Sequence, residues 1–390
     1  MIKQMIAVIK SYLQTLEVFQ VRNKTILSKE RVISVDALRG FDMFLIMGGD
    51  IGFQSLDKVF HNKLSGFVKT QFDHVEWFGF HFEDIIMPLF LFLVGVSMVY
   101  SFRKRLGNGS SDKSLWIHTI KRVIILWILG MIVQGNLLSY DINHIQFYTN
   151  TLQAIAAGYL IAAILILYMP VCYQIVATIG LMIIYWAILA LIPVERAAAN
   201  AYSPDGNVAM YVEKMVMGRF IGWGTYTWIV SSLNFGATVM LGVFAGYMMQ
   251  SAHGKMKKFR YYLIMGSSMI ILAMILNIWH PIIKHIWTSS FVLFSGGISV
   301  LMLAFFYLVI DAWNVRKGTK WLIIIGSNAI FAYVVWHLFS NNLMGMAEVF
   351  LKGLKPWIGE LFNTLRIFGG TLILFLILKY MHRNKTFIRI

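Results

Sequence analysis

Ten apolar runs, each close to the roughly 20 residues needed to cross a hydrocarbon core about 30 Å thick, constrain this chain more than any other feature. They are drawn at 36–56, 84–102, 121–138, 149–169 and 171–192, and again at 228–249, 260–279, 290–311, 321–340 and 362–381. Of the 390 residues 58% are hydrophobic and 13% charged, whereas soluble domains carry roughly 25% charged residues. The expectation is an all-α polytopic membrane protein with about ten transmembrane helices. A short interfacial helix around Trp357 fits between the last two runs.

Charge fixes a topology. Cytoplasmic loops retain Lys and Arg, and placing both termini inside puts most of the 34 basic residues there, including the clusters Arg103, Lys104, Arg105 and Lys255, Lys257, Lys258, Arg260. The net charge of +16 is then a product of topology, with membrane lipid as the partner and no nucleic acid required. Residues 1–33 read as a cytoplasmic segment carrying an amphipathic helix, with Ile2, Met5, Ile6, Ile9, Leu13 and Leu16 at helical spacing. Residues 34–390 read as a single transmembrane domain. Cys172 is the one cysteine, which excludes an intrachain disulfide and a Cys-based metal cluster.

The stretch "HVEWFGFHFEDIIMPLFLFLVGVSM" gathers His74, Glu76, His81, Glu83 and Asp84 immediately before an apolar helix. In the N-in, C-in topology residues 57–83 face outward, so His74 lies at or beyond the outer boundary and Asp84 heads the second helix. Ionisable groups at such positions are costly and often functional. Pro88 removes the amide that would bond the carbonyl of Asp84 and loosens that turn. Asp50, in "MGGDIGF", stands toward the outer end of the first helix, where Gly48 and Gly49 permit close approach of helices. His74, Asp84 and Asp50 are expected to converge on one outward-facing pocket. A carboxylate beside an imidazole fixes its tautomer and raises its basicity, and the roles of general base and covalent carrier are both open to His74. Glu76, His81 and Glu83 read as a solvated rim. The order of His74, Glu76, His81 and Asp84 matches no zinc spacing such as His-Glu-x-x-His, so no metal site is expected.

These residues carry a resemblance. "SVDALRG" at 34–40, the histidine of "HVEWFGF", "EDIIMPLFLFLVGVSM", Leu152-Gln153, "NFGATVMLGVFAG" at 234–246 and "GSNAIFAYV" at 326–334 follow one another as they do in the transmembrane acetyltransferases typified by heparan-alpha-glucosaminide N-acetyltransferase and its bacterial relatives. The resemblance implies a transmembrane acyltransferase-like fold and transfer of acetyl from cytosolic acetyl-CoA to the amine of a terminal glucosamine on the outer, periplasmic side. It implies that His74 is catalytic, with Asp84 and Asp50 beside it. An asparagine of the family falls on Asp50, Leu-Gln-Arg becomes Leu152-Gln153-Ala154, and an Asp-Pro-Glu-Gly stretch is replaced by "TYTW" at 225–228. These departures fit a divergent branch in a bacterial inner membrane.

With that chemistry in view, Arg39, Arg103, Lys104, Lys121 and Arg122 at the inner ends are expected to hold the phosphates of acetyl-CoA. Its long arm would thread between helices past Gln153, Asn234 and Asn328. Asp50, Glu76, Trp77, Trp336 and His337 are the expected contacts to the saccharide acceptor. Positive-inside anchoring, an Asp36–Arg39 pair at i and i+3, interhelical bonding and interfacial aromatics are the structural readings of the same residues. The nearest variant is an O-acetyltransferase of a surface or periplasmic glycan. A proton-coupled sugar transporter is the competing class, though no symmetry between halves supports it. A homodimer is compatible with all three.

Overall fold

The computed structural model describes residues 32–192, 201–204, 206–222 and 224–388; the expected amphipathic helix, which runs from Ile2 to Leu16, lies outside them. Among the described residues the protein is helical throughout, without strands. In chain order the helices are α1 (Ile33–Phe44), α2 (Asp50–Ser55), α3 (Asp57–Phe60), α4 (Lys63–Gln71), α5 (Ile86–Gly107), α6 (Asp112–Val133), α7 (Thr151–Tyr168), α8 (Val171–Leu191), α9 (Val208–Met217), α10 (Ser232–Gln250), α11 (Lys255–Leu276), α12 (Ser289–Phe306), α13 (Lys320–Ser327), α14 (Ala329–Leu351), α15 (Lys355–Ile358) and α16 (Leu361–Arg383). Among the described residues eight helices are long and apolar enough to cross a membrane, or nine when α13 and the Ala329–Ile358 segment, bent by 77°, count as one span. This is a polytopic membrane protein.

The first run, expected as one span, is helical in pieces. Met47 and Gly48 leave helical geometry and a π-turn occupies Leu45–Gly49. Gly48 has φ +96°, and a Cβ there would lie 2.4 Å from the ring of Trp336, so no larger residue fits without movement. Expected and observed ends differ most at α6, which starts at Asp112, capped by the Ser111 hydroxyl accepting from the Ser114 amide. Lys113 and Lys121 are exposed on this helix, where long basic side chains can carry their charges toward the interface.

The described residues pack as two compact units, one of residues 87–308 and one of residues 32–86 with 309–388. In the larger unit α10 is the central helix, packed against α7, α8 and α12. A Cβ on Gly95 would lie 2.0 Å from the carbonyl oxygen of Val239, and one on Gly242 1.9 Å from that of Phe92, so α5 and α10 touch backbone to backbone. The three loops at one end of this unit are tied together: Phe147 N–H to Phe220 O at 3.3 Å, Thr227 N–H to His285 O at 2.9 Å, and Asn234 Nδ2 to Trp287 O at 2.7 Å. In the smaller unit α1 packs against α13, and α14 against α16. Thr371 Oγ1 donates to the carbonyl of Met47 at 2.6 Å, satisfying an acceptor released by the break.

Candidate active site

The loop that carries His74 is assembled by its own side chains. Asn62 caps α4, accepting from the Ser65 amide at 2.8 Å while the Ser65 hydroxyl accepts from the Asn62 amide at 3.1 Å. Phe72, just past α4, stacks on Phe53 of α2 with ring centroids 5.0 Å apart and meets the edge of Phe82 at 5.3 Å. Gln54 donates to the carbonyl of Phe72, and the Phe82 amide donates to Gln71 Oε1 at 3.3 Å. His81 Nδ1 donates to the Asp73 carbonyl at 3.0 Å. Both ends of the loop are thereby held to α2 and α4.

Within that frame Asp84 is wholly buried and His74 half-exposed. Asp84 Oδ1 accepts from His74 Nδ1 at 3.1 Å. Its Oδ2 accepts from the amides of His81 at 2.9 Å and Val75 at 3.4 Å. Three donors compensate the burial of the charge, which would otherwise be expensive. The bond fixes the imidazole: with Nδ1 donating, Nε2 carries the lone pair of the neutral ring. This geometry suits a base that takes a proton at Nε2 while Asp84 balances the resulting imidazolium.

Asp50 opens α2, the helix that anchors the loop, with its Oδ1 buried and unbonded and the amides of Asp50 and Ile51 beside the carboxylate. Glu76 is exposed, and Trp77 is buried. Glu83, expected on a solvated rim, is 8% exposed; the 3₁₀ turn Phe82–Ile85 turns it inward along with Asp84. Trp336 is likewise buried, packed over the Gly48 turn, so it is not presented outward for stacking. His337 stacks on Tyr333 with centroids 4.1 Å apart and donates through Nδ1 to the Tyr333 carbonyl at 2.9 Å.

The residues expected to hold the donor separate by role. Arg39 pairs with Asp36 at 3.5 Å, the helix pair that the spacing allows. Lys104 is exposed near the end of α5, and Lys121 is exposed nine residues into α6. Arg103 donates to Gln250. Arg122 lies over the Tyr159 ring at 4.6 Å, and Arg105 meets His118 at 3.0 Å, adding two groups that spacing alone does not single out for phosphate. Gln153 is fully buried and bonded to the backbone at the head of α7. Its Oε1 accepts from the amides of Thr149 and Asn150, and its Nε2 donates to Phe147 O, which completes a capping box at the start of α7. Asn234 ties α10 to Trp287 and Ser289. Asn328 donates to Thr386 O and accepts from the Ile388 amide, closing the bend between α13 and α14.

Two buried acids, Asp42 and Glu213, stand outside the expected set. Asp42 of α1 is fully buried and neither carboxyl oxygen has a hydrogen-bond partner. Its signal is present in the sequence, an aspartate inside the apolar run "GFDMFLIM".

An imidazole held by a buried carboxylate is an arrangement suited to proton transfer. No protein-family model matches the chain. The chain is similar to heparan-alpha-glucosaminide N-acetyltransferase of Mus musculus, 22% identical over 373 residues, an alignment that takes in 80% of this chain and 54% of the mouse protein. It thus spans about half the length of that relative, and the identity supports a distant relationship.

Proposed function

We propose that this chain is a membrane-embedded acetyltransferase that moves acetyl from acetyl-CoA to the amine of a glucosamine-type saccharide, with His74 as general base. The observation that carries the reading is the His74 Nδ1–Asp84 Oδ1 bond at 3.1 Å, with Asp84 held by two backbone amides. The distant likeness to an enzyme named for glucosaminide N-acetylation supports the donor and acceptor classes. In the direct route the free amine attacks the thioester carbonyl. The N–C bond forms, the C–S bond breaks, and His74 Nε2 takes a proton from nitrogen and returns it to the departing thiolate. Asp84 stabilises the imidazolium throughout. Arg103, Lys104, Arg105, Lys121 and Arg122 are the phosphate-binding candidates, Lys104 and Lys121 as exposed charges and the others through their fixed geometry.

The test is a transfer assay on purified protein with labelled acetyl-CoA and glucosamine. Wild type should form N-acetylglucosamine and His74→Ala should form none above background, while coenzyme A binding persists. Initial-rate lines should intersect, with no label kept on the protein. Parallel lines together with acetyl trapped on His74 before acceptor is added would make His74 a covalent carrier. Full activity in His74→Ala would remove this site from the chemistry.

A further inference from the structure

The hairpin of α3 and α4 that leads to His74 wears its apolar side chains on the outside. Phe60 is 59% exposed, Leu64 72% and Phe67 62%, whereas the small polar Ser65 is buried. Leu64, Phe67 and Val68 share one sector of α4 at 3.6 residues per turn, and Ser65, Lys69 and Thr70 fall outside it. A helix on a soluble protein turns such a stripe toward the core. A stripe turned outward, with basic residues alongside, is the pattern of a helix seated at a membrane boundary.

The packing of the smaller unit sets the depth of this face. The Ser65 hydroxyl donates to Asp57 Oδ1 at 2.9 Å, Lys69 pairs with Asp57 at 3.6 Å and Phe72 stacks on Phe53, so α4 folds back along α2 and α3. Ser55, the last residue of α2, meets Thr364 at 2.7 Å. Thr364 is three residues inside the span Leu361–Arg383, about 5 Å along its axis. Leu64 and Phe67 therefore stand level with the beginning of a membrane span. A second element reaches the same level. Glu348 of α14 pairs with Arg366 at 3.3 Å, and Phe350, two residues on, is 83% exposed. Trp357 and the exposed Lys352 and Lys355 follow, the aromatic and basic residues that mark a bilayer interface. Lys58 and Lys63 flank the apolar face of the hairpin in the same way.

His74 works at this depth. Its partner Asp84, 3.1 Å away, is the third residue of the span Phe82–Gly107, so the imidazole stands where lipid headgroups lie. A sugar joined directly to a lipid is held at that level, whereas a free sugar is not concentrated there. We infer that the α3–α4 hairpin is seated in the bilayer boundary with Phe60, Leu64 and Phe67 among acyl chains, and that the acceptor taken at His74 is a saccharide borne directly on a lipid. The acceptor class rests on the acetyl-transfer reading; the seating of the hairpin does not.

Two measurements keep these apart. The first places a nitroxide on Leu64→Cys, Phe67→Cys or Thr70→Cys in a Cys172→Ser background, in lipid nanodiscs holding a single copy. Collisions with oxygen should exceed those with a water-soluble nickel chelate at 64 and 67, and the order should reverse at 70. Nickel dominance at 64 and 67 overturns the seating. Protection from both reagents overturns it too, and spin–spin broadening in discs loaded with two copies would then identify a second copy of the chain as the cover. The second measurement compares acetyl transfer in nanodiscs to three acceptors: free glucosamine, glucosamine linked directly to a diacylglycerol, and the same lipid with a long polyethylene glycol spacer that lifts the sugar off the surface. The directly linked sugar should be used best, with a kcat/KM about tenfold or more above that of the spaced one, because effective concentration falls when a tether no longer matches its span. Equal or better use of the spaced or free sugar overturns the lipid-borne acceptor and leaves the acetyltransferase reading intact. Transfer to none of the three rejects the acetyltransferase reading and the acceptor class with it, while the nitroxide result still decides the seating of the hairpin.

Discussion

In the larger unit, four hydroxyls within the apolar helices turn back on their own helix. Ser97 donates to Leu93 O, Thr178 to Gln174 O, Ser295 to Phe291 O and Ser299 to Ser295 O, each at 2.6–2.8 Å. The smaller unit holds its polarity differently. Its first helix is broken at Met47–Gly48, its α13–α14 pair is bent by 77°, and its buried polar groups include the carboxyls of Asp42, Glu83 and Asp84. A hydroxyl can satisfy itself against a carbonyl four residues back at little cost to the helix. A carboxylate needs donors from outside its own turn, and a loop such as 72–84 supplies them as amides. The contrast teaches that the smaller unit combines broken helices with buried carboxyls, whereas the hydroxyls of the larger unit leave its helices regular.

The largest effect that would break the contrast is expected at Asp84. Asp84→Asn keeps the shape and the fold but can no longer balance an imidazolium, and it presents an amide N–H where the structure needs an acceptor. Transfer should fall by about 10² to 10⁴, roughly 3–5 kcal/mol in the barrier, with KM for acetyl-CoA little changed. A well-folded Asp84→Asn protein with near-normal turnover would make the smaller unit's buried acid as structural as the larger unit's hydroxyls.

Next in size is the break itself. Gly48→Ala places a methyl against Trp336 at a backbone angle of φ +96°. Strain and overpacking together should cost about 2–4 kcal/mol, read as a lower thermal midpoint in detergent. The matched control is Gly180→Ala in α8, where a Cβ would meet nothing within 4 Å. There the same substitution should stabilise by roughly 0.5–1 kcal/mol, because alanine is the better helix former. Equal responses at the two positions would mean that the broken helix imposes no more than the straight one.

The same contrast explains what the sequence can disclose. The apolar runs are legible because a membrane span is a statement about twenty residues at once, and nearly every run returns as a helix. The His74–Asp84 pairing is legible too, since a histidine just before an acidic helix head has few partners to choose from. The break at Met47–Gly48 is not, because a Gly-Gly pair also reads as close helix packing, and only Trp336, far along the chain, distinguishes the two. Glu83 reads as rim in the sequence because a run of titratable residues before an apolar helix looks solvated, and nothing local shows that the turn Phe82–Ile85 is covered so that Glu83 and Asp84 are both buried. Gln153 reads as lining, although Asn150 three positions before it is the signature of a capping box. Asp42 is hidden by its own context, a single carboxylate among apolar residues with no second titratable group beside it in sequence.

The smallest expected effect tests whether the larger unit also harbours a carboxylate held as the smaller unit holds Asp84. Glu213 of α9, outside the membrane-spanning helices, is buried and accepts through Oε2 from the amides of Trp228 and Ile229, both at 3.0 Å. Its Oε1 has no partner. Burial raises its pKa above the ordinary glutamate value of 4.5, and the two amides oppose that only in part. A carboxyl raised in the folded state favours folding while protonated. Its contribution is therefore fully present below the unfolded value and is lost as pH rises through the folded one. Glu213→Gln, neutral at every pH, should match wild type in acid and become the more stable protein as pH climbs from 4.5, by about 1 kcal/mol. The measurement is the thermal midpoint of each protein in detergent across that range. A difference that stays constant with pH would mean that Glu213 does not titrate between the two states. It would then stand beside Asp84 as a donor-compensated anion, and the division between the two units would lose its clearest chemical marker.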